Sequence, residues 1–204
     1  MDDINAYIHE RRTGQGSRML FTMHGTGGDE HQLLDLGAKL MPDATIVSPR
    51  GDVSERGAAR FFRRQAEGVY DMDDLARATA KMVGFVETNI EEDQPSAVFG
   101  LGYSNGANIL ATALFAAPKL FDAVVLMHPL IPFEPEVDGD LKGHRVLITA
   151  GRRDPICPPE MTARLEAWLR YKGADVIVEW HDGGHELRDN EIEAAQKFLN
   201  PAGA

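Results

Sequence analysis

A serine, an aspartate and a histidine that could together activate a hydroxyl group stand in three separate stretches of the sequence. The serine, Ser104, lies in residues 102–106, Gly-Tyr-Ser-Asn-Gly, which match the pattern Gly-x-Ser-x-Gly. The apolar residues 97–101 predict a buried strand before it, and the small and apolar residues 107–115 predict a helix after it. A serine in such a turn has a strained backbone and an accessible hydroxyl, and glycines permit close approach of neighbouring chains. The stretch predicts a nucleophile elbow rather than a glycine-rich loop without chemistry.

The acid that would complete such a site is predicted after a later strand. Asp154 follows the predicted strand 145–150 and precedes Pro155, which stiffens its loop. Asp138 and Asp140 follow an earlier strand and are alternatives. We favour Asp154, because its strand is the nearest in order before the histidine.

The histidine that would act as base has two candidates after the predicted strand 175–180. His181 follows this strand directly, whereas Gly183-Gly184 supplies a turn that can bring His185 back over the sheet. The chain order serine, acid, histidine is typical of hydrolase triads with this elbow. In them the histidine takes the proton of the serine and the acid orients the histidine. We favour His185 as the general base.

Residues 24–28, His-Gly-Thr-Gly-Gly, form a second informative loop. Hydrolases with this elbow hold the negative oxygen of the intermediate with two backbone N–H groups, one after the nucleophile and one from an early loop. These donors would be Asn105 and Thr26. A phosphate-binding loop is the alternative, but the GxGxxG spacing is missing, and Asp29 and Glu30 would repel phosphate.

Further side chains could line the site from loops beyond predicted strand ends. The candidates for a substrate-binding acyl pocket are Phe61, Phe62, Leu130 and Ile131. Ordinary packing explains each of them at least as well. His128 could also line the site but is better explained as a structural histidine, and Cys157 as a packed thiol. No set of His, Cys and acidic residues shows metal-ligand spacing, so we predict neither a metal nor another cofactor.

The elements that must position these residues alternate along the chain. Apolar runs typical of buried strands alternate with helical periodicities, which predicts an α/β fold with a mostly parallel central sheet and helices on both faces. Ligands of such sheets bind at the carboxyl ends of the strands, where Ser104 stands. We also expect Asp29 and Gln32 to form a capping box that opens a helix through Leu40, and residues 50–68 to be irregular.

The composition limits location and partners. The 204 residues suffice for a single domain, 1–204, and the formal net charge of −11 argues against nucleic acid or an anionic membrane as partner. The N-terminal residues lack the basic and apolar segments of a secretory signal, and no apolar run is long enough to span a bilayer. The single cysteine, Cys157, excludes an internal disulfide and fits a reducing compartment. We expect a cytoplasmic protein with a small-molecule ester substrate, and a homodimer is compatible with the sequence.

Four motifs in this order make the chain resemble the phospholipase/carboxylesterase family, small lidless α/β-hydrolases that include acyl-protein thioesterases. The motifs are residues 24–30, 102–108, 151–156 and 184–186. Residues 60–64 and 128–132 look like those of its bacterial carboxylesterase subgroup. The resemblance implies an α/β-hydrolase fold and a catalytic triad of Ser104, Asp154 and His185.

Three features bear on family and substrate. Dienelactone hydrolases, a neighbouring family, place cysteine at the elbow, so Ser104 argues against membership there. Thioesterases of the eukaryotic type usually carry glutamine after the serine, so Asn105 argues against protein depalmitoylation. Between Pro132 and Leu141, where larger hydrolases insert a cap domain, only a short acidic loop remains. An uncapped site favours short or medium acyl groups.

Together these features predict a serine carboxylesterase that cleaves small esters through an acyl-enzyme. An acyl thioesterase or a lysophospholipase-type activity is the alternative with the same machinery. A non-catalytic binding protein is a second alternative, since fold does not fix function. A pure receptor, however, would have no need of all three catalytic groups.

Overall fold

The computed structural model describes residues 6–137 and 139–200, along which strands and helices alternate. The strands are β1 (His9–Arg12), β2 (Arg18–Met23), β3 (Thr45–Pro49), β4 (Val53–Glu55), β5 (Ala58–Arg60), β6 (Arg64–Ala66), β7 (Val69–Tyr70), β8 (Ala97–Tyr103), β9 (Ala123–Met127), β10 (Arg145–Gly151) and β11 (Asp175–His181). The helices are α1 (Leu34–Leu40), α2 (Met72–Asp93), α3 (Asn105–Ala116), α4 (Pro159–Tyr171) and α5 (Asp189–Leu199), with a short 3₁₀ helix at Pro118–Leu120.

Seven of these strands form one sheet in the order β1-β3-β2-β8-β9-β10-β11. The edge strand β1 runs antiparallel to β3, and the remaining neighbours are parallel. Gly102 near the end of β8 lies beside Met23 of β2 and Leu126 of β9. The carboxyl ends of the central strands therefore meet at one edge of the sheet.

Side chains of the central strands alternate between two apolar layers. In β9, Val124 and Leu126 pack in a layer with residues of α2, α3 and α4. Val125 and Met127 pack on the opposite face with residues of α1 and α5. A strand covered on both faces is apolar throughout, as β9 is. The predicted mostly parallel sheet with helices on both faces is confirmed.

The predicted capping box at Asp29 is wrong. Helix α1 begins only at Leu34, and the Gln32 side chain is used elsewhere, because its Oε1 accepts a hydrogen bond from Gly25 N at 2.8 Å. The Asp29 carboxylate accepts from His31 N in a local turn. The side chains that could have capped a helix instead fix the loop before it.

The prediction that residues 50–68 are irregular is also wrong in part. It contains the antiparallel hairpin β4–β5, and β6 pairs with β7 just beyond it. These strands are only two or three residues long, and such short pairings carry little periodicity in sequence. The two hairpins lie beyond the end of β3 and supply one wall of the pocket described below.

The connection between β9 and β10 contains no helix or strand in its described residues, 128–137 and 139–144. No helix among the described residues is long and apolar enough to cross a membrane.

Candidate active site

The turn between β8 and α3 has the geometry of the predicted elbow. Ser104 has φ 53° and ψ −115°, a backbone conformation that residues with a side chain rarely adopt. Its N–H donates to Met127 O at 2.8 Å, which holds the turn against β9. A Cβ on Gly102 would lie 2.4 Å from Gly106 O, and one on Gly106 would lie 2.0 Å from Met23 O. Both glycines are therefore required by the close approach of β8, α3 and β2.

Ser104 begins a chain of three polar side chains. His185 Nε2 lies 2.9 Å from Ser104 Oγ, and His185 Nδ1 lies 2.7 Å from Asp154 Oδ2. Because an ionised carboxylate only accepts hydrogen bonds, Nδ1 carries the proton of a neutral imidazole and Nε2 can accept one from the serine. The structure thus brings together the three residues that the sequence singles out, in an arrangement able to activate a hydroxyl group.

Asp154 is held by its own loop. Its Oδ1 accepts hydrogen bonds from the backbone N–H groups of Ile156 at 2.8 Å and Cys157 at 2.9 Å. Burial raises the pKa of Asp154, but these bonds and those of two imidazoles outweigh it, and the pKa lies below its ordinary value. Of the alternative acids, Asp140 is exposed, and Asp138 lies outside the described residues.

His185, and not His181, contacts Ser104. Tyr103 OH donates to His185 O at 2.7 Å, and the two rings lie 5.5 Å apart, so Tyr103 fixes both the backbone and the ring of this histidine. Burial raises the pKa of Tyr103 to about 12, which keeps its hydroxyl a donor. His181 Nε2 lies instead 3.3 Å from Glu191 Oε2.

A second set of buried polar side chains contacts Asp154 through His128. His128 Nδ1 is 2.8 Å from the same Asp154 Oδ2 that His185 contacts, and His128 Nε2 is 3.0 Å from Glu191 Oε1. The Thr149 hydroxyl also donates to Glu191 Oε1. His128, which the sequence suggests is merely structural, therefore contacts the candidate acid directly.

Among the residues that the structure describes, two sets of side chains come close enough to hold a metal ion, although their sequence spacing shows no such pattern. They are His128, His181 and Glu191, and His128, Asp154 and His185, with ligand atoms within 4.8 Å of one another. In the first set, Gly183 N–H donates to His181 Nδ1 at 2.9 Å, so a neutral His181 carries its proton on Nε2 and has no lone pair there. In the second set, each imidazole turns a protonated Nδ1 to the carboxylate. The donor sets do not fit a metal without a change of protonation.

The predicted oxyanion donors lie at the same pocket as Ser104. Thr26 and Asn105 both line it, and within residues 6–137 and 139–200 neither backbone N–H donates to a protein acceptor. His24 holds the loop that carries Thr26, because its Nε2 accepts from Gly51 N at 2.9 Å. Burial lowers the pKa of His24, which keeps the ring neutral and able to accept. That Thr26 and Asn105 bind an oxyanion stays a prediction.

The pocket at Ser104 has a volume of about 260 Å³. Leu130 lines it, as the sequence suggests. Phe61 and Phe62 do not, because both rings turn inward and are fully buried in the core. Ile131 also packs against the core and borders a separate pocket. Of the four candidates for substrate contact, three are therefore displaced from the pocket by ordinary packing.

One wall of the pocket is charged, which the sequence reasoning missed. Arg60 is buried, and its Nη1 donates to Thr26 Oγ1 at 2.6 Å. Arg64 lies next to it and pairs with Glu55 and Glu67. Strands β5 and β6 bring these residues together. Because this segment was predicted to be irregular, the sequence did not indicate that the two arginines lie side by side at the pocket.

A polar network at the pocket joins the hairpin β6–β7 to α3 and to the loop after β9. Asn108 on α3 accepts from Leu130 N at 2.7 Å and donates to Tyr70 OH at 2.8 Å, and Tyr70 OH in turn donates to Leu130 O. Asn108 lies one helical turn after Ser104 on α3, whose side chains are mostly apolar. A buried polar side chain at this position is the signal in the sequence that could have identified Asn108. It fixes the backbone of the loop after β9.

Comparisons with known proteins agree with this architecture. The model of the Dienelactone hydrolase family matches residues 52–195, well over half of the chain. MhqD of Bacillus subtilis, a protein provisionally named a hydrolase, is 40% identical over 198 residues, which cover 96% of this chain and 98% of MhqD.

Two solved structures show the same fold. The protein Atu2452 of Agrobacterium tumefaciens, of unknown function, is 57% identical with a TM-score of 0.92, and 98% of each chain is covered. A Bacillus cereus carboxylesterase is 36% identical with a TM-score of 0.89, over 94% of this chain and 92% of that chain. The predicted α/β-hydrolase fold is confirmed.

The family assignment corrects one expectation and leaves another open. Ser104 was expected to argue against the dienelactone hydrolases, and this is wrong, because the match extends over the elbow, the acid loop and the histidine loop and does not depend on one nucleophile. The resemblance to the phospholipase/carboxylesterase family stays a prediction. The chain belongs to the dienelactone hydrolase family and is a hydrolase of the α/β-hydrolase esterase type.

Proposed function

We propose that this hydrolase is a serine carboxylesterase that cleaves small esters through an acyl-enzyme. One observation carries the proposal: the contacts from Ser104 Oγ to His185 Nε2 and from His185 Nδ1 to Asp154 Oδ2, at a pocket large enough for a small molecule. The similarity to a carboxylesterase of known structure supports an ester as substrate.

Each catalytic group has one task in this mechanism. Ser104 Oγ attacks the ester carbonyl while His185 Nε2 takes its proton, and the N–H groups of Thr26 and Asn105 hold the oxyanion. His185 then gives the proton to the leaving alcohol, and an acyl-enzyme on Ser104 remains. A water molecule that loses its proton to His185 attacks the acyl carbonyl, the acid leaves, and the serine recovers its proton. Asp154 stabilises the imidazolium in both halves of the reaction.

The pocket favours small acyl groups. Its volume of about 260 Å³ lies just below the usual range of ligand sites, which begins at about 300 Å³. Leu130 gives it an apolar contact, whereas Arg60, Arg64 and Glu67 make part of its lining charged. A long alkyl chain would have to lie against these charged groups, which costs desolvation free energy. We therefore expect acetate and butyrate esters to be better substrates than decanoate esters.

The experiment is a panel of p-nitrophenyl esters from acetate to decanoate, with acyl thioesters as a second arm. The native protein should hydrolyse the short esters, and Ser104→Ala should lower kcat/KM by about 10⁴-fold or more. Activity that survives this substitution would remove Ser104 as nucleophile. If the native protein hydrolyses neither esters nor thioesters, a binding function becomes the better account.

The identity of the base is tested by two matched substitutions. His185→Ala should lose activity nearly as completely as Ser104→Ala, because it removes the acceptor 2.9 Å from Ser104 Oγ. His181→Ala should keep most of its activity, since its ring contacts Glu191 instead. A loss confined to His181→Ala would overturn the assignment.

A further inference from the structure

His128 stands between two carboxylates, those of Asp154 and Glu191. Its Nδ1 is 2.8 Å from Asp154 Oδ2, its Nε2 is 3.0 Å from Glu191 Oε1, and the side chains of all three are 0% exposed. The backbone of His128 has φ 51°, in the left-handed region that residues other than glycine rarely enter. Strain of this kind persists where the surroundings fix a residue, and it is frequent at functional sites.

The hydrogen bonds determine where the protons of this cluster lie. Gly183 N–H donates to His181 Nδ1, so the proton of a neutral His181 ring lies on Nε2, which faces Glu191 Oε2 at 3.3 Å. Each ring nitrogen of His128 faces a carboxylate oxygen at 3.0 Å or less. His128 Nε2 also lies 3.5 Å from His181 Nε2, but the proton on that nitrogen has a nearer acceptor in Glu191 Oε2. A neutral His128 would set a lone pair against one of these oxygens. Protons on both nitrogens satisfy both contacts and make the ring an imidazolium.

The electrostatics agree with this assignment. Burial alone would lower the pKa of His128, but its hydrogen bonds to Glu191 and Asp154 outweigh burial, and the pKa of His128 is raised. Burial would raise the pKa of Glu191, but its bonds to His128 and Thr149 lower it overall. The titratable groups around the His128 ring and backbone are Tyr103, Asp154, Cys157, His181, His185 and Glu191. Burial raises the pKa of Tyr103 and that of Cys157, so neither adds a charge.

We propose that His128 is a positioning residue in imidazolium form, which shares Asp154 Oδ2 with His185 and extends to lower pH the range in which His185 acts as a base. The proposal rests on the proposed function of Ser104, Asp154 and His185. The rings of His128 and His185 lie 5.1 Å apart between centroids. A positive charge at this distance opposes a second positive charge on His185, and it offsets part of the negative charge of Asp154. His185 therefore keeps its free Nε2 in more acidic solution than Asp154 alone would allow.

Glu191→Gln tests this directly, because it removes the charge and preserves the shape. The amide nitrogen can donate to His128 Nε2 and to the Thr149 hydroxyl, and the amide oxygen can accept from His181 Nε2 and from Arg188 N, which now bonds Glu191 Oε2 at 2.7 Å. Each of these partners keeps a hydrogen bond to residue 191, although the Thr149 hydroxyl accepts instead of donating, and His128 then needs only one proton. The variant loses the negative charge of residue 191 and, with it, the positive charge of His128. Glu191 lies on the far side of the His128 ring from Asp154, so the lost positive charge is nearer to His185 than the lost negative charge.

Two readouts separate this proposal from the proposed function. In nitrogen-15 spectra at pH 8, both ring nitrogens of His128 should carry a proton in the native protein, and only one in Glu191→Gln. The acidic limb of the kcat/KM profile for p-nitrophenyl acetate should move up by roughly one pH unit in this variant. Thr149→Val, which removes a hydrogen bond to Glu191 but no charge, should leave the limb in place.

The outcomes are distinct. A singly protonated His128 in the native protein at pH 8, or an unmoved limb in Glu191→Gln, would overturn the proposal. Absence of any esterase activity would refute the proposed function while the spectra still report the charge of His128. Should Glu191→Gln not fold, the double variant His128→Asn with Glu191→Gln removes the same two charges with neutral amides. It should show the same upward shift of the limb, and an unchanged limb would again contradict the proposal.

Discussion

Glycine in place of Ser104 should make the protein more stable than alanine at the same position, because the elbow stores backbone strain. Ser104 has φ 53° and ψ −115°, and conformations of this kind cost a residue with a Cβ about 1–3 kcal/mol. Glycine has no such penalty, but it loses about 0.5–1 kcal/mol more in conformational entropy on folding than alanine does. The difference predicts that Ser104→Gly is about 1 kcal/mol more stable than Ser104→Ala.

Ser104→Ala is the matched control for this comparison. Both variants lack Oγ and thus its contact with His185, and the Ser104 side chain makes no capping hydrogen bond to α3 that either could lose. The assay is urea unfolding followed by circular dichroism, supported by thermal scans. A gain of about 1 kcal/mol corresponds to about 2–4 °C in Tm for a protein of this size. Both variants should be inactive, and a glycine variant no more stable than the alanine variant would refute the strain argument.

Two further substitutions and one chemical labelling reaction test the surroundings of the elbow. Gly106→Ala should destabilise the fold by about 3 kcal/mol or more in urea unfolding, because its Cβ would lie 2.0 Å from Met23 O, and near-native stability would contradict the packing described. Tyr103→Phe removes the hydrogen bond to His185 O, which is worth about 1 kcal/mol, and should therefore lower kcat several-fold with KM nearly unchanged. An unaltered kcat would show that this bond does not position the base. Cys157 should react with iodoacetamide only slowly in the folded protein, since burial raises the pKa of its thiol, and fast labelling measured by mass spectrometry would show that the thiol is accessible.

The sequence predicts the parts of this molecule that follow from short-range pattern. The elbow is visible because the buried strand, the two glycines and the small-residue helix are adjacent in the chain. Asp154 and His185 are predicted because parallel strands end at one edge of a sheet, so the loops after β10 and β11 must lie near the loop after β8. The structure brings these three side chains together as that rule requires.

The rest depends on contacts between distant elements. His128 and Glu191 lie on different elements and show no motif, and only the packing of α5 under β9 and β10 brings them together. Gln32 fits a helix-capping pattern, but its side chain is taken by the backbone of Gly25, a contact that local pattern does not reveal. Phe61 follows a three-residue strand whose direction decides whether its ring points to the pocket or to the core, and the sequence carries no signal for that choice.

Trapping of the acyl-enzyme tests the central claim most directly. The native protein is mixed with p-nitrophenyl acetate, quenched in acid within the first turnover, digested and mapped by mass spectrometry. We predict one acetyl group on the peptide that contains Ser104, and its accumulation in His185→Ala only at a greatly reduced rate. Hydrolysis with no acyl adduct on Ser104, or an adduct on another residue that turns over at the rate of the reaction, would contradict the account.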